Sequence, residues 1–463
     1  MPKMLEVRQG NWERQRASRY VSKVQCCFER GEKVISRLVW KFDKRFFILA
    51  LLFLVTFNLI SVSTVAFATD ATTTTQTDAI KIPANIGIGK IEIGKAIKVD
   101  GVTFPFTFID GMLLNDGTRK VAVDGKTYNV TVSTKPLDQR LNSSLESYTF
   151  VLDSTATFYN PINRNMKSIG TGTEIKLPEL PQIAILSDTF GNVSDVLCVP
   201  PSLEKVDILD SQTPINNISG KKFLLSSKSP YRIMGKVLLP SSNALILEDG
   251  VTVINALNSD LNVKGVFFST GPVNIFGPGS ITVSENGIAY LEGNAVETDV
   301  NGSGGALVFL NDATVDDVSV SRTNFVVIRN TRAKNVKVSS VYAAYIIDSQ
   351  IENLDIQNCR QVIINNVNTA KFNASIMSKV ITYNSELTEA TASDFSEVNF
   401  VSSTISNLGA TRGTVAKIKD SHISSVSVED YSILYTFKSS IEKLKSSNSK
   451  YYTLSSQVSR IEK

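Results

Sequence analysis

The sequence predicts an all-β protein whose C-terminal part is a parallel β-helix of 18-residue coils. A β-sandwich or barrel-like domain and an N-terminal hydrophobic helix precede it. Three observations carry this reading: apolar columns that recur every 18 residues, strict two-residue alternation within each unit, and one uncharged run of 23 residues near the start.

The repeat is the strongest of the three. Val318/Val320 is followed at 18-residue steps by Val336/Val338, Leu354/Ile356, Phe372/Ala374, Ala390/Ala392, Leu408/Ala410 and Val426/Val428. A second pair of columns runs from Val326/Ile328 to Leu434/Thr436, and a third column from Ala333 to Ile441. Between them, Asn330, Asp348, Asn366, Asn384, Ser402 and Asp420 form a turn column, because their short polar side chains bond their own backbone. Several registers kept over seven cycles mean stacked units, and a period of two within each unit means strands. Nine turns from about Val300 to Ile461 would stack to roughly 40 Å at about 4.8 Å each. The irregular steps between inward columns favour the right-handed form. Longer coils begin near Lys236, so 236–463 is assigned to the β-helix and 206–235 to a connector.

Upstream, 81–205 alternates apolar and polar residues between Gly and Asp-Gly turns, as in "KVAVDGKTYNVTV", and reads as a β-sandwich-like domain. Residues 69–80 form a Thr-rich linker. Phe46 to Ala68 has no charge and is long enough to span a bilayer, with Lys41, Lys44 and Arg45 just before it. It serves as a transmembrane anchor or, cut after "AFA", as a signal-peptide core. Either way the chain from Thr69 onward is expected outside the cytoplasm, in the cell envelope or secreted. Residues 1–45 form a basic cytoplasmic leader with twelve Lys/Arg against five Asp/Glu, leaving 36 against 39 for the remainder. Nothing after residue 68 is therefore built for nucleic acid.

The stretch "LILEDGVTV…VNIFGPGSITV" (245–283) resembles the first coils of pectinase-type right-handed β-helices. Polygalacturonase-type members carry clustered aspartates and a nearby histidine on successive coils. This chain has a single histidine, His422, and no Gly-His-Gly, so that activity does not carry over. The short, uniform coils also resemble bactofilins, bacterial β-helices that form polymers, although a large β domain does not usually precede those.

Candidate sites are few. Outward positions of the second strand are apolar at Tyr345, Ile347, Ile363, Ile381, Tyr383, Val401, Tyr435 and Phe437, and such a face needs a cover. The cover is either the chain's own 81–205 domain or a partner, which would be a second copy or another envelope protein. Asp299 and Asp317 fall one above the other and form a candidate Ca²⁺ site. Asn129, Asn142, Asn192, Asn217, Asn301 and Asn373 open glycosylation sequons. Cys359, in column with Val341, Met377, Phe395 and Tyr431, reads as core filling; Cys198 and Cys359 allow at most one disulfide within the body. The expected function is non-enzymatic: a surface structural or adhesion protein working by self-association. A polysaccharide-active enzyme or carbohydrate-binding module is the alternative.

Overall fold

The computed structural model describes residues 80–83, 97–104, 106, 109–123, 126–146, 149–210, 214–216 and 218–462. The leader, the hydrophobic run 46–68, most of the linker and Asn217 lie outside the described residues. Among those described, no helix is long and apolar enough to cross a membrane.

A parallel β-solenoid of about 14 turns occupies the C-terminal part of the chain. Its pairing begins upstream of the expected Lys236: Asp207–Ile208 lies against Lys221–Leu224, which pairs with Ala244–Leu247. The 206–235 segment is thus solenoid rather than connector. The first coils are wide, as Lys221 pairs with Ala244 and Ala244 with Val266. From Leu307↔Phe325 onward the step is 18, until Ile433 pairs with Lys450 one residue short. Leu354 sits beneath Phe372, and Phe372 beneath Ala390, as the periodicity requires. The inward columns join into one continuous hydrophobic core from Ile215 to Leu444.

Each coil is a three-walled prism. In Arg332–Ser339, Ala333, Val336 and Val338 point inward, while Lys334 and Asn335 face outward in succession and mark a corner. The corner after the second strand is made by the predicted turn column. Asn330, Asp348, Asn366, Asn384, Ser402 and Asp420 all adopt left-handed backbone, with φ between 47° and 55°. The next residue turns inward, and from Ser385 onward it is a serine in every coil. Each buried hydroxyl donates to the carbonyl two residues back and accepts the backbone N–H from the coil before. Ser403 Oγ donates to Val401 O at 3.0 Å and accepts from Ser385 N at 3.3 Å; Ser421 and Ser439 repeat the pattern. This ladder satisfies buried polar groups that would otherwise be costly at every corner.

The Cys359 column is a partial correction. Val341 and Cys359 are buried as expected, but Met377, Phe395 and Tyr431 are exposed. At Ser340 and Asn358 the turn holds one left-handed residue, whereas 376–377, 394–395, 412–413 and 430–431 hold two. The extra left-handed residue swings that side chain into solvent and brings Ser378, Ser396, Thr414 or Ser432 into the slot. Cys359 and Cys198 are both buried free thiols, so no disulfide joins them.

The described residues of the N-terminal part form three small sheets. Five strands lie in the first, Ile80–Pro83 pairing parallel and the others antiparallel. Three antiparallel strands form the second, and four the third, which contains Gln182–Ser187 and Val193–Val199.

Two stability outcomes follow. Phe372→Ala, which deletes a ring set edge-on at 6.3 Å to Phe400 in the core, should cost about 3–5 kcal/mol in denaturant unfolding. Ser403→Ala, in the middle of the hydroxyl ladder, should cost about 1–3 kcal/mol because it strands the Ser385 N–H.

Candidate functional site

The second-strand wall has outward positions that read apolar for most of its height. In one column Tyr345, Ile363 and Ile381 precede Asn399, Lys417 and Tyr435. In its neighbour Arg329, Ile347, Asn365, Tyr383 and Val401 precede Lys419 and Phe437. Seven of the eight predicted interface residues are buried and Tyr435 is half-buried. The cover is the chain's own N-terminal part. Met112, Tyr159, Ile183, Ile185, Val193, Val196 and Cys198 pack onto the wall and make with it a second hydrophobic core. The apolar area at these residues is thus already removed from water by the chain's own strands.

Polar contacts stitch the seam. Tyr159 lies against Phe325 at 4.3 Å between ring centroids, and Tyr383 donates to Asn192 Oδ1 at 3.1 Å. Arg329 grips the fully buried Asp195 with two bonds, Nε to Oδ1 at 2.9 Å and Nη2 to Oδ2 at 3.2 Å. The same carboxylate accepts the backbone N–H groups of Leu141 and Val196, so its charge is well solvated by protein. Arg140 reaches Asp348 of the turn column at 2.8 Å. Further along, Lys417 lies between Asp110 at 2.9 Å and Glu397 at 2.7 Å, and Lys419 meets Asp116 at 2.5 Å. Asp110 caps the short turn Gly111–Leu113 by accepting from Met112 N at 3.0 Å. That turn, carrying Met112, is held down between the two lysines' partners.

Titration in this seam is set by burial against pairing. Burial alone would raise the Asp116 carboxyl; the Lys419 hydrogen bond and charge, with two bonds from Thr134, outweigh it and hold it below the usual carboxylate range. Burial alone would lower Lys417, yet Asp110 and Glu397 outweigh it and hold the ammonium above its ordinary value. Tyr345 and Tyr383 are pushed far up by burial and stay neutral.

The remaining predicted residues are scattered. Burial, then the charges of Asp317 and Asp316, push the Asp299 carboxyl up, so the expected crowding between coils is present. Asp317 also accepts from Asn335 Nδ2 at 2.6 Å, which starts an amide ladder continued by Asn353. Among the described residues no group of three His, Cys, Asp or Glu could hold a metal ion. Of the sequons, Asn192 is overturned: it is fully buried and its Nδ2 donates to Asp188 at 2.7 Å, leaving no room for a glycan. Asn142 and Asn373 are each tied by Nδ2 to a carboxylate, Asp153 and Asp355; Asn129 and Asn301 are half-buried on strands. His422 is exposed but not alone, with Nδ1 at 2.7 Å from Ser440 Oγ and Nε2 at 3.4 Å from Glu442. That hydroxyl–imidazole–carboxylate order lies open on the outer wall, where water competes for each contact.

One surface was misread as core. At the corner of the later coils, Ile376, Met377, Phe395 and Tyr431 are exposed, Phe395 by 73% and Tyr431 by 83%. Each holds left-handed backbone, an uncommon place for a bulky residue. Gly413 shows the relaxed form of the same turn, and a Cβ there would meet the Phe395 ring at 2.6 Å. The Phe395 ring is thus laid along the solenoid axis over the next coil.

Two tests follow from the seam. Asp195→Ala should destabilise the protein by about 3–5 kcal/mol, because it leaves Arg329 half-buried without its partner. A carboxyl held below its unfolded value stabilises the fold above that value and loses the contribution as pH falls through it. Acid unfolding of the wild type should therefore steepen below about pH 4, and Asp116→Ala should flatten that limb in a pH series of melting temperatures. No family model, no curated protein and no solved structure matches this chain.

Proposed function

We propose that the protein is a non-enzymatic adhesion or structural protein of the cell envelope, tethered or secreted through 46–68. In this reading the solenoid is a stiff post, and the β-sandwich-like 81–205 module is its fixed buttress rather than a mobile domain. The observation that carries it is the fate of the apolar wall. The chain closes that wall itself, and the buried charged groups are spent in the seam rather than gathered around a cleft. Among the apolar residues still exposed, the aromatic corner groups several on one line.

The partner class this corner suits is an extended polysaccharide. Phe395 and Tyr431 stand two coils apart, about 10 Å along the axis at the parallel-strand spacing. That places two exposed aromatic side chains on one line along the axis, a spacing suited to contact with an extended sugar chain. The ion pair between Arg412 and Asp394, at 3.1 Å, supplies hydrogen-bonding groups beside the rings. Self-association, if it occurs, has to use surfaces other than the covered wall.

A second reading, polysaccharide turnover, is favoured by one observation: Asp299 has a raised carboxyl beside Asp317, the pattern of an acid next to a base. A single set of experiments separates the two. Purified full chain should be retained on insoluble chitin, cellulose or calcium polygalacturonate without releasing reducing sugar. Phe395→Ala combined with Tyr431→Ala should weaken retention about tenfold, taking roughly 0.5–1.5 kcal/mol for each aromatic contact. Reducing-sugar release abolished by Asp299→Asn would establish the enzyme instead, and absence of both retention and release would remove the glycan reading.

A further inference from the structure

We propose that Lys417 and Asp110 condense into an intramolecular amide, promoted by Glu397, so that the N-terminal domain is covalently stapled to the solenoid wall. The three side chains make an arrangement that a structural ion pair does not need. Lys417 and Asp110 are each 4% exposed, and the Lys417 Nζ is 2.9 Å from Asp110 Oδ2 and 2.7 Å from Glu397 Oε1. One ammonium facing two carboxylates leaves a net negative charge where charge is costly. The surroundings exclude water: Tyr435 is the register partner of Lys417, Phe106 stands edge-on to Tyr435 at 5.8 Å, and Tyr452 stacks on Tyr435 at 5.1 Å.

The chemistry balances without any other reactant. Both carboxylates keep Lys417 protonated, so the first event is transfer of one ammonium proton to Asp110 Oδ2, giving a neutral amine and a neutral acid. The transfer runs uphill from the ion pair, and burial makes it less costly than it would be in water. The amine lone pair then attacks Asp110 Cγ and a carbon–nitrogen bond forms. Negative charge develops on Oδ1, which already accepts from the Met112 backbone N–H at 3.0 Å, as an oxyanion donor should be placed. Glu397 takes the second nitrogen proton and delivers it to the Oδ2 hydroxyl, which leaves as water. The products are one amide, one water and an unchanged Glu397, and two buried charges are gone. Proximity supplies most of the drive, since the folded seam holds amine and acid in contact.

The neighbouring pair is an internal control. Lys419 is as buried as Lys417, but Asp116 Oδ1 accepts from both Thr134 Oγ1 and Lys419, and no second carboxylate hydrogen-bonds the amine among the described contacts. Without a proton carrier this pair remains ionic.

The test is peptide mapping of the purified full chain, denatured and digested with trypsin. Condensation removes cleavage at Lys417 and joins 99–119 to 413–419 in one branched species, lighter than the two linear peptides together by one water. Glu397→Gln should leave the pair unreacted and restore linear 413–417, and Lys417→Arg should do so whether or not Glu397→Gln folds, because a guanidinium does not condense. Recovery of linear 413–417 from wild-type protein in proportion to neighbouring peptides would overturn the proposal. Equal cross-linking of Lys419 to Asp116, or cross-linking that survives Glu397→Gln, would overturn the role given to Glu397.

Discussion

The structure depends on one constraint: each coil must return to the same corner, which in the later coils takes 18 residues. Parallel backbone hydrogen bonds tolerate any register, so something else has to fix this one. The left-handed corner residue followed by an inward serine does so. Where the last coil shortens to 17 residues the same bond is kept, Ser439 N–H donating to Ser456 Oγ at 3.1 Å, so the corner stays aligned while the count changes elsewhere in the coil. Because the core columns are aliphatic ladders with no other landmark, the corner chemistry, rather than the core, aligns one coil on the next.

From that interval comes the second feature, a flat wall that is apolar inside and out. A surface of this kind cannot remain in water, and the chain resolves the problem internally. Two antiparallel strands, Gln182–Ser187 and Val193–Val199, lie over it and share their apolar face with it. Where the wall turns from Ile and Tyr to Asn399, Lys417 and Lys419, the cover turns to Asp110 and Asp116. Complementarity therefore changes from apolar to ionic along one seam, which fixes how far along the wall the cover sits.

Legibility followed sequence distance. Leu354 beneath Phe372 was readable because the repeat writes the same contact seven times. The corners were readable as turns because Asn, Asp and Ser bond their own backbone there, and the left-handed conformation is what the structure adds. The seam was not, since Lys419 and Asp116 are 303 residues apart and neither segment repeats the other. A faint signal existed: two lysines at outward positions of an otherwise oily wall demand acidic partners, though not any particular ones. The exposed corner was misread because Phe395 shares a column with Cys359, and apolar character alone cannot distinguish a slot from a turn. Gly413 in the same column was the missed clue, since glycine there marks a second left-handed residue. The early start of the solenoid was hidden because coils of 22 or 23 residues break the 18-residue spacing.

The cover and the wall form one closed unit, and backbone hydrogen exchange read by mass spectrometry on the full chain tests this most directly. Val193–Val199 and the wall strands Ala343–Ile347, Gln361–Asn365 and Lys379–Tyr383 should exchange at the same slow rate, through one opening. Fast exchange in Val193–Val199 beside protected wall strands would show a cover that lifts freely, and would contradict the closed seam.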